Sequence, residues 1–311
     1  MGSDGTAKGG ADNTGAQRRG KTMNDKPLRW TVPASFFGMV LGLTGLGTNW
    51  RVAAKLWGLP AWVGEAVMAV AVAVWAVLAL LYALKWLRAG AQARGEIEHP
   101  IQCCFVALVP VTTMLVGIAV LPYSRPAALL LCGVGALAAN LMSAIAAAAL
   151  GWPELGQLFL GAGVLAWLAL ESIIIGRLLT AEELPQPLRP TLGIQAAPPA
   201  VALLAYCSVT TGPPDLVAHG LLGYALVQAC LALRLLPWIR QPFTPGYWAF
   251  TFAATAITSA TMRYADRGGD WVFVSLAPVL FVLANVIVGG MGIATALRGR
   301  MLPSQAAPIA R

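Results

Sequence analysis

Few residues of this 311-residue chain belong to types that do chemistry, and most of those stand within apolar stretches. The two histidines, His99 and His219, are far apart in sequence and match no metal-site spacing. The adjacent Cys103 and Cys104 could serve thiol redox chemistry or metalloid capture, but cysteine is also simply a small buried residue. Walker A, His-Glu-x-x-His and nucleophile-elbow motifs are absent. We therefore expect no catalytic residue, no metal site and no cofactor.

One acidic residue, Glu171, stands well inside the apolar run 154–176. Ionisable groups inside a membrane are functional candidates by default, because burying their charge is costly. Glu171 could couple proton movement to transport, or could pair with a neighbouring helix. It lies near the end of the run, so its side chain could equally reach the membrane surface.

A second candidate is a helix with an unusual distribution of side-chain sizes, 246–264, with the sequence GYWAFTFAATAITSATMRY. Its aromatic residues end at Phe252, and alanine, threonine and serine follow. On a helix, Phe252 shares one face with Thr255, Ala256 and Ser259. The ring could close a passage above a small hydroxyl-bearing face, or it could be one more packed aromatic. Phe250 points elsewhere and is expected to pack.

Composition identifies the solvent of these segments. The chain is 58% hydrophobic and 11% charged, with a mean hydropathy of +0.71, whereas soluble domains carry roughly 25% charged residues. Such a chain needs a lipid bilayer around most of it. The net charge of +8 suits loops beside membrane spans, and no basic run with interleaved aromatics supports nucleic-acid binding.

Apolar runs of about 18 or more residues predict nine spans within a single all-α transmembrane domain, residues 30–300. We expect residues 1–29 and 301–311 to be cytoplasmic tails, the first disordered. Spans with proline, glycine and threonine should lie inside and the smooth ones should face lipid, since lipid cannot satisfy freed backbone groups. This alternation predicts hairpins of one inner and one outer helix. The predicted spans are 33–50, 61–87, 101–121, 126–149, 154–176, 191–211, 215–236, 246–263 and 271–296.

Charge placement argues against nine crossings. Nine crossings put 11 Lys and Arg on one side of the membrane and 10 on the other, whereas counting 126–149 as two crossings gives 16 and 5. The positive-inside rule favours the second distribution, with the N-terminus in the cytoplasm. Residues 126–149 are too few for two helices of about 20 residues each. We expect this region to be re-entrant or to have lost a piece.

Several stretches of the chain together resemble the tellurite-resistance/dicarboxylate transporter family, which includes the plant guard-cell slow anion channels. The resemblance implies ten helices, arranged as five tandem hairpins around a pseudo-fivefold axis with a central pore, in a homotrimer. It also implies about thirty missing residues between AALLLCGVGAL and AANLMSAIAAAALGW, a shortened fourth and fifth helix. The resembling stretches are PASFFGMVLGL (33–43), HPIQCCFVALVPVTTML (99–115), FLGAGVLAWLALESIIIGRL (159–178), ELPQPLRPTLGIQAAP (183–198), LRLLPWIRQPF (233–243) and YWAFTF (247–252).

The resemblance implies a role for Phe252 as the plug of that pore. The implied function is passage of small inorganic or organic anions across the bacterial inner membrane, with tellurite resistance as one outcome. Two alternatives stay open: a proton-coupled dicarboxylate or sulfite exporter that uses Glu171, and a non-conducting membrane assembly partner. Arg51 and Lys55 would enrich anions at a pore mouth or be ordinary solvated residues. The expected pore-lining residues are Gly38, Gly42, Pro110, Thr113, Pro198, Thr255 and Ser259.

Overall fold

All regular structure in the described part of the chain is helical. The computed structural model describes residues 32–98, 102–136, 140–180 and 182–299, so both expected tails, 1–29 and 301–311, lie outside the described residues. The α-helices are α1 Phe37–Trp57, α2 Ala61–Arg88, α3 Gly90–Glu98, α4 Gln102–Val106, α5 Leu108–Val120, α6 Arg125–Gly135, α7 Asn140–Ala149, α8 Pro153–Thr180, α9 Ala197–Val209, α10 Leu216–Ile239, α11 Trp248–Asp266 and α12 Trp271–Gly299.

Six of the described helical segments are long and apolar enough to cross a membrane. Two further helices, α1 with 21 residues and α11 with 19, have the length but carry more glycine, threonine and serine. The expectation of an all-α polytopic membrane protein is confirmed. The six segments are Ala61–Arg88, Gln102–Val120, Pro153–Thr180, Leu188–Val209, Leu216–Ile239 and Trp271–Leu297.

Five helices form a closed inner ring. Helix α1 packs against α5, α5 against α7, α7 against α9, α9 against α11, and α11 returns to α1. The outer helices are α2, α6, α8, α10 and α12, and each packs against its own inner partner and the next inner helix. The predicted alternation of inner and outer helices in tandem hairpins is therefore confirmed. The expectation that spans with proline and glycine lie inside is wrong for α12, which carries Pro278 and Gly289-Gly290 and is an outer helix.

Side-chain burial follows the same division. Most side chains of α11 are buried, whereas α8 buries only Gly156, Gly163 and Glu171. Large apolar side chains on the outer helices are open to the surroundings; Leu165 and Leu179, for example, are 72% and 79% exposed. Large apolar surfaces mark contact with a membrane or with other protein chains, and the six span-length apolar segments indicate that lipid covers most of this one.

The region 126–149 is not one span but two short helices. At 1.5 Å per residue, α6 is about 16 Å long and α7 about 15 Å, each roughly half of a hydrocarbon core of about 30 Å. Arg125 at the start of α6 donates from Nη2 to the carbonyl oxygen of Leu150, just after α7, at 3.1 Å. The segment therefore enters and leaves at the same end of the molecule, which agrees with the re-entrant alternative.

Contacts between loops extend this end of the molecule around the ring. Gln157 near the start of α8 donates to the carbonyl oxygen of Val209 at the end of α9, at 3.3 Å. Arg267 after α11 donates to the hydroxyl of Thr210 at 3.2 Å. The turns at 121–124, 150–152, 210–215 and 267–270 thus lie together, and we call this side of the molecule the mouth end.

Two of the span prolines do not sit where the sequence suggests. Pro198 lies inside the predicted span 191–211, but residues Gln186–Ala196 form a 3-10 helix and α9 begins only at Ala197. Pro110 likewise falls in the first turn of α5, after a break at Ala107. A first turn needs no N–H from proline, so both residues start α-helices and do not kink them.

Because these turns lie at the same end of the molecule, the side of the membrane from which they can be labelled is predictable. The test uses single cysteines introduced into a variant that lacks the five native ones. Ser124→Cys and Thr211→Cys should react with an impermeant maleimide from the same side of the membrane, and Gly95→Cys in α3 from the other. The reason is that α6 and α7 together return the chain to the side from which it entered. Labelling of Thr211→Cys from the side of Gly95→Cys would mean that the region makes one crossing.

Candidate functional site

The first and last inner helices approach each other more closely than side chains on both would allow. A Cβ atom added to Gly42 would overlap the Thr251 hydroxyl, and one added to Gly45 would overlap that of Thr255. A Cβ on Gly38 would lie 3.3 Å from Cβ of Trp248. The glycines of α1 thus leave space for the threonines of α11, as in close helix pairs within membranes.

Asn49 completes this contact one turn further along α1. It is fully buried, donates from Nδ2 to the carbonyl oxygen of Thr255 at 3.3 Å, and accepts from the hydroxyl of Ser259. Thr255 and Ser259 are 0% and 3% exposed. They lie between α1 and α11 and line neither of the two cavities described below.

The remaining expected pore residues also have defined neighbours. Thr113 accepts a hydrogen bond from Nε1 of Trp75 on α2 at 3.2 Å, and the carbonyl of Pro110 lies against Gly135 of α6. Pro198 is partly exposed in the first turn of α9. The structure does not gather the seven residues into one lining, and their role in a pore stays a prediction.

Phe252 holds a central position that its neighbours on α11 do not. Val111, Leu115 and Phe252 are the only partly buried side chains that pack against both of the two largest described core clusters. One cluster draws on α5 to α7 and α9 to α11, and the other on α1, α2 and α5. These three residues, two on α5 and one on α11, therefore connect the two clusters, and we call them together the central apolar layer.

Phe250 is placed differently, although it is only two residues away. Its ring covers Gly193, where an added Cβ would lie 2.6 Å from the ring atoms, and it stacks on Tyr247 with ring centroids 6.2 Å apart. Glycine at this position lets the 3-10 segment pass directly beneath the ring. The two phenylalanines thus serve different surfaces of α11.

A cavity of about 240 Å³ opens at the mouth end and reaches inward as far as Leu115. Leu115 also belongs to the central apolar layer, so the apolar layer forms part of the floor of this cavity, which we call the vestibule. Its wall carries Thr48, Arg51 and Lys55 from α1 and Arg263 and Asp266 from α11.

Arg51 is held in place by the second helix. Its Nε and Nη2 donate to the two carboxylate oxygens of Glu65 at 2.8 and 2.7 Å, a bidentate pairing. Tyr123, in the turn after α5, donates to the same carboxylate at 2.5 Å, and this hydrogen bond raises the pKa of Tyr123. Three elements thereby fix one guanidinium at the edge of the vestibule.

The vestibule carries more positive than negative charge. Lys55 pairs with Asp266 at 3.4 Å, and Arg51 with Glu65. Arg263 is exposed and has no hydrogen-bond or ion-pair partner among the described residues. Sequence reasoning anticipated Arg51 and Lys55 but missed Arg263, although its place eleven residues after Phe252 on one helix was a usable signal.

Glu171 lies away from the central apolar layer, between the outer helices α8 and α10. It is 5% exposed, and its Oε1 accepts hydrogen bonds from the hydroxyl of Tyr224 at 2.6 Å and from Nε2 of Gln228 at 2.7 Å. No cation pairs with it among the described residues, and Oε2 is buried without a partner there. The side chain of Glu171 therefore does not extend to the membrane surface, and its hydrogen bonds link α8 to α10.

Comparison with known proteins bears on this arrangement. A family profile described as voltage-dependent anion channel matches residues 31–137 and 126–296. The chain belongs to this family. The tellurite resistance protein TehA homolog of Haemophilus influenzae is 33% identical over 309 positions, covering 88% of this chain and 92% of that protein.

Two plant relatives are more distant. The S-type anion channel SLAH3 of Arabidopsis thaliana is 25% identical, covering 90% of this chain and 50% of that protein. The guard cell S-type anion channel SLAC1 of the same plant is 24% identical, covering 87% of this chain and 56% of that protein. The chain therefore spans about half the length of these plant channels.

The family match also marks the shortened hairpin. The two matched segments overlap at residues 126–137, where α6 lies. In the alignment with the bacterial relative, 88% of 311 residues is about 274, so about 35 of the 309 positions face a gap in this chain. Both findings agree with a stretch of about thirty residues that the family has and this chain lacks.

The close contact between α1 and α11 predicts that a larger side chain at Gly45 destabilises the protein. Gly45→Leu should destabilise the protein by about 1–3 kcal/mol, because its side chain would displace Thr255 from a packed interface. Gly223→Leu is the matched control, since nothing lies within 4 Å of a Cβ there. Thermal unfolding in detergent measures both variants, and equal unfolding temperatures would contradict the packing role.

Proposed function

We propose that this protein is an anion channel of the bacterial inner membrane in which anions collect in the vestibule and cross when Phe252 moves aside. The observation that carries the proposal is the shared residue Leu115, which joins the basic vestibule to the apolar layer around Phe252. The description of the family and the names of the plant relatives support anion transport. We further propose a homotrimer and a contribution to tellurite resistance, in line with the family plan and the bacterial relative's name.

The gate would work by excluding water. Phe252, Val111 and Leu115 offer an anion no hydrogen bond in exchange for its hydration shell, and hydrophobic constrictions of this kind block conduction by dewetting. A rotation of the Phe252 side chain would remove the largest group of the layer. The charge of the vestibule would then supply anions to a passage that binds them weakly, so anions that dehydrate easily are favoured.

The vestibule would act through local concentration. The vestibule has three cations, Arg51, Lys55 and Arg263, and two carboxylates, Asp266 and Glu65, so the net charge at the mouth is about +1. This charge attracts anions that come within a Debye length, which is about 8 Å at physiological salt. A cleft lined by one sign of charge raises the local concentration of the opposite ion. The positive-inside distribution, with 5 Lys and Arg at the mouth end against 16 elsewhere, supports a periplasmic vestibule and a cytoplasmic N-terminus.

Removal of the proposed plug should raise conduction. Phe252→Ala should increase nitrate or chloride current in planar bilayers at least tenfold over the unmodified protein, because the apolar layer loses its largest side chain. Phe250→Ala is the matched control, as it removes an equal ring that packs on Gly193 instead. Unchanged current in Phe252→Ala, with normal folding, would refute the gate.

Glu171 separates the channel from the proton-coupled exporter. Glu171→Gln keeps an acceptor for Tyr224 and Gln228 but cannot release a proton, so anion flux and its pH dependence should stay unchanged for a channel. Flux into proteoliposomes at pH 5.5 and 7.5 measures this. Loss of a pH-dependent flux would favour the exporter, while absence of flux from both the unmodified protein and Phe252→Ala would favour a non-conducting assembly partner.

A further inference from the structure

A second, larger cavity of about 490 Å³ lies on the outer surface, between the outer helices α10 and α12. Its floor is the face of α11 opposite to α1, at Ala253 and Ala254. Small residues on the flanking helices make the space, among them Ala229, Ala232 and Gly290. We call this cavity the outer groove.

The outer groove has the length of one membrane leaflet. It runs along α10 from Leu226 to Leu236, and along α12 from Leu280 to Met291. Ten residues of helix span about 15 Å, which is half of a hydrocarbon core of about 30 Å. The end at Leu236 and Tyr247 is the one remote from the mouth end, because α10 begins at the mouth end and α11 finishes there.

The polar side chains that line the groove already have hydrogen-bond partners in the protein. Thr258 is one of its few polar side chains, and its hydroxyl lies 2.8 Å from the carbonyl oxygen of Ala254 and 3.1 Å from that of Leu280. Tyr247 engages its hydroxyl with backbone groups of Ile239 and Gln241. A buried water needs two to four polar partners, and an empty groove would forfeit dispersion contacts along its whole lining.

A cationic group stands at the end of the groove. Arg240 directly follows α10 and is exposed. The next residue, Gln241, is tied to the lining residue Tyr247 through its backbone N–H, 2.9 Å from the Tyr247 hydroxyl. This contact holds the start of the loop beside the groove, and a guanidinium suits phosphate oxygens.

We propose that the outer groove holds one acyl chain of an anionic phospholipid from the leaflet remote from the mouth end, with the lipid phosphate at Arg240. The apolar lining, the length of one leaflet and the guanidinium at its end all fit this single occupant. The site is separate from the vestibule and the central apolar layer, so it stands whether or not the protein conducts anions.

Two neighbouring glycines provide a matched pair of variants. Gly290 lines the groove and Gly289 does not, and nothing lies within 4 Å of a Cβ at either position. Gly290→Leu therefore fills the groove without overlapping protein atoms, and Gly289→Leu adds the same side chain to the same helix outside it. The protein is reconstituted in vesicles of phosphatidylglycerol and phosphatidylcholine that contain phosphatidylglycerol with a diazirine on its acyl chain, and adducts are mapped by mass spectrometry after illumination.

We expect adducts on the groove-facing peptides of α10 and α12, reduced at least fivefold by Gly290→Leu and unchanged by Gly289→Leu. Arg240→Gln should lower by about threefold the yield from labelled phosphatidylglycerol relative to labelled phosphatidylcholine. Absence of groove adducts, or equal yields from the two leucine variants, would overturn the acyl-chain site. Equal effects of Arg240→Gln on both lipids would overturn the phosphate contact.

Discussion

Closure of the inner ring depends on the contact between its first and last members. Helices α1 and α11 are about two hundred residues apart in sequence, and only Gly42 and Gly45 allow Thr251 and Thr255 to come so close. Asn49 then connects the backbone of Thr255 with the hydroxyl of Ser259. In a bilayer no hydrophobic effect draws helices together, so tight packing and interhelical hydrogen bonds must supply the attraction. The vestibule is built on this contact, since its wall combines residues of both helices.

The same contact explains what the sequence could and could not predict at the candidate site. The small, hydroxyl-bearing face of α11 was visible from helical spacing, and so was the end of the aromatic run at Phe252. Spacing does not tell which neighbour a face meets, and Thr255 and Ser259 meet α1 instead of a cavity. The hydroxyl of Thr255 lies 3.0 Å from the carbonyl oxygen of Thr251 in its own helix, so it needs no water to be satisfied.

The shortened hairpin was predictable from charge, although its form was not. Counting Lys and Arg required an even number of crossings, and the Arg125–Leu150 contact agrees with that parity. Hydropathy alone merged the two half-length helices into one run, because α6 and α7 are both apolar and only about four residues separate them. The prolines show a similar limit: Pro198 was placed correctly in a helical segment, but a change from 3-10 to α-helix at Ala197 has no strong sequence signal.

The position of α7 decides whether an inner ring that contains a shortened helix can still enclose a central passage. Its last residues lie at the mouth end, so its ten residues complete the ring in the half of the membrane that contains the vestibule. Leu141 and Met142, at the start of α7, pack in the same cluster as Phe252. The first turn of the shortened helix therefore belongs to the cluster against which Phe252 packs. A loss of residues confined to the other half of the membrane removes no part of the central apolar layer, and for that reason the proposed gate is compatible with the short fourth and fifth helices.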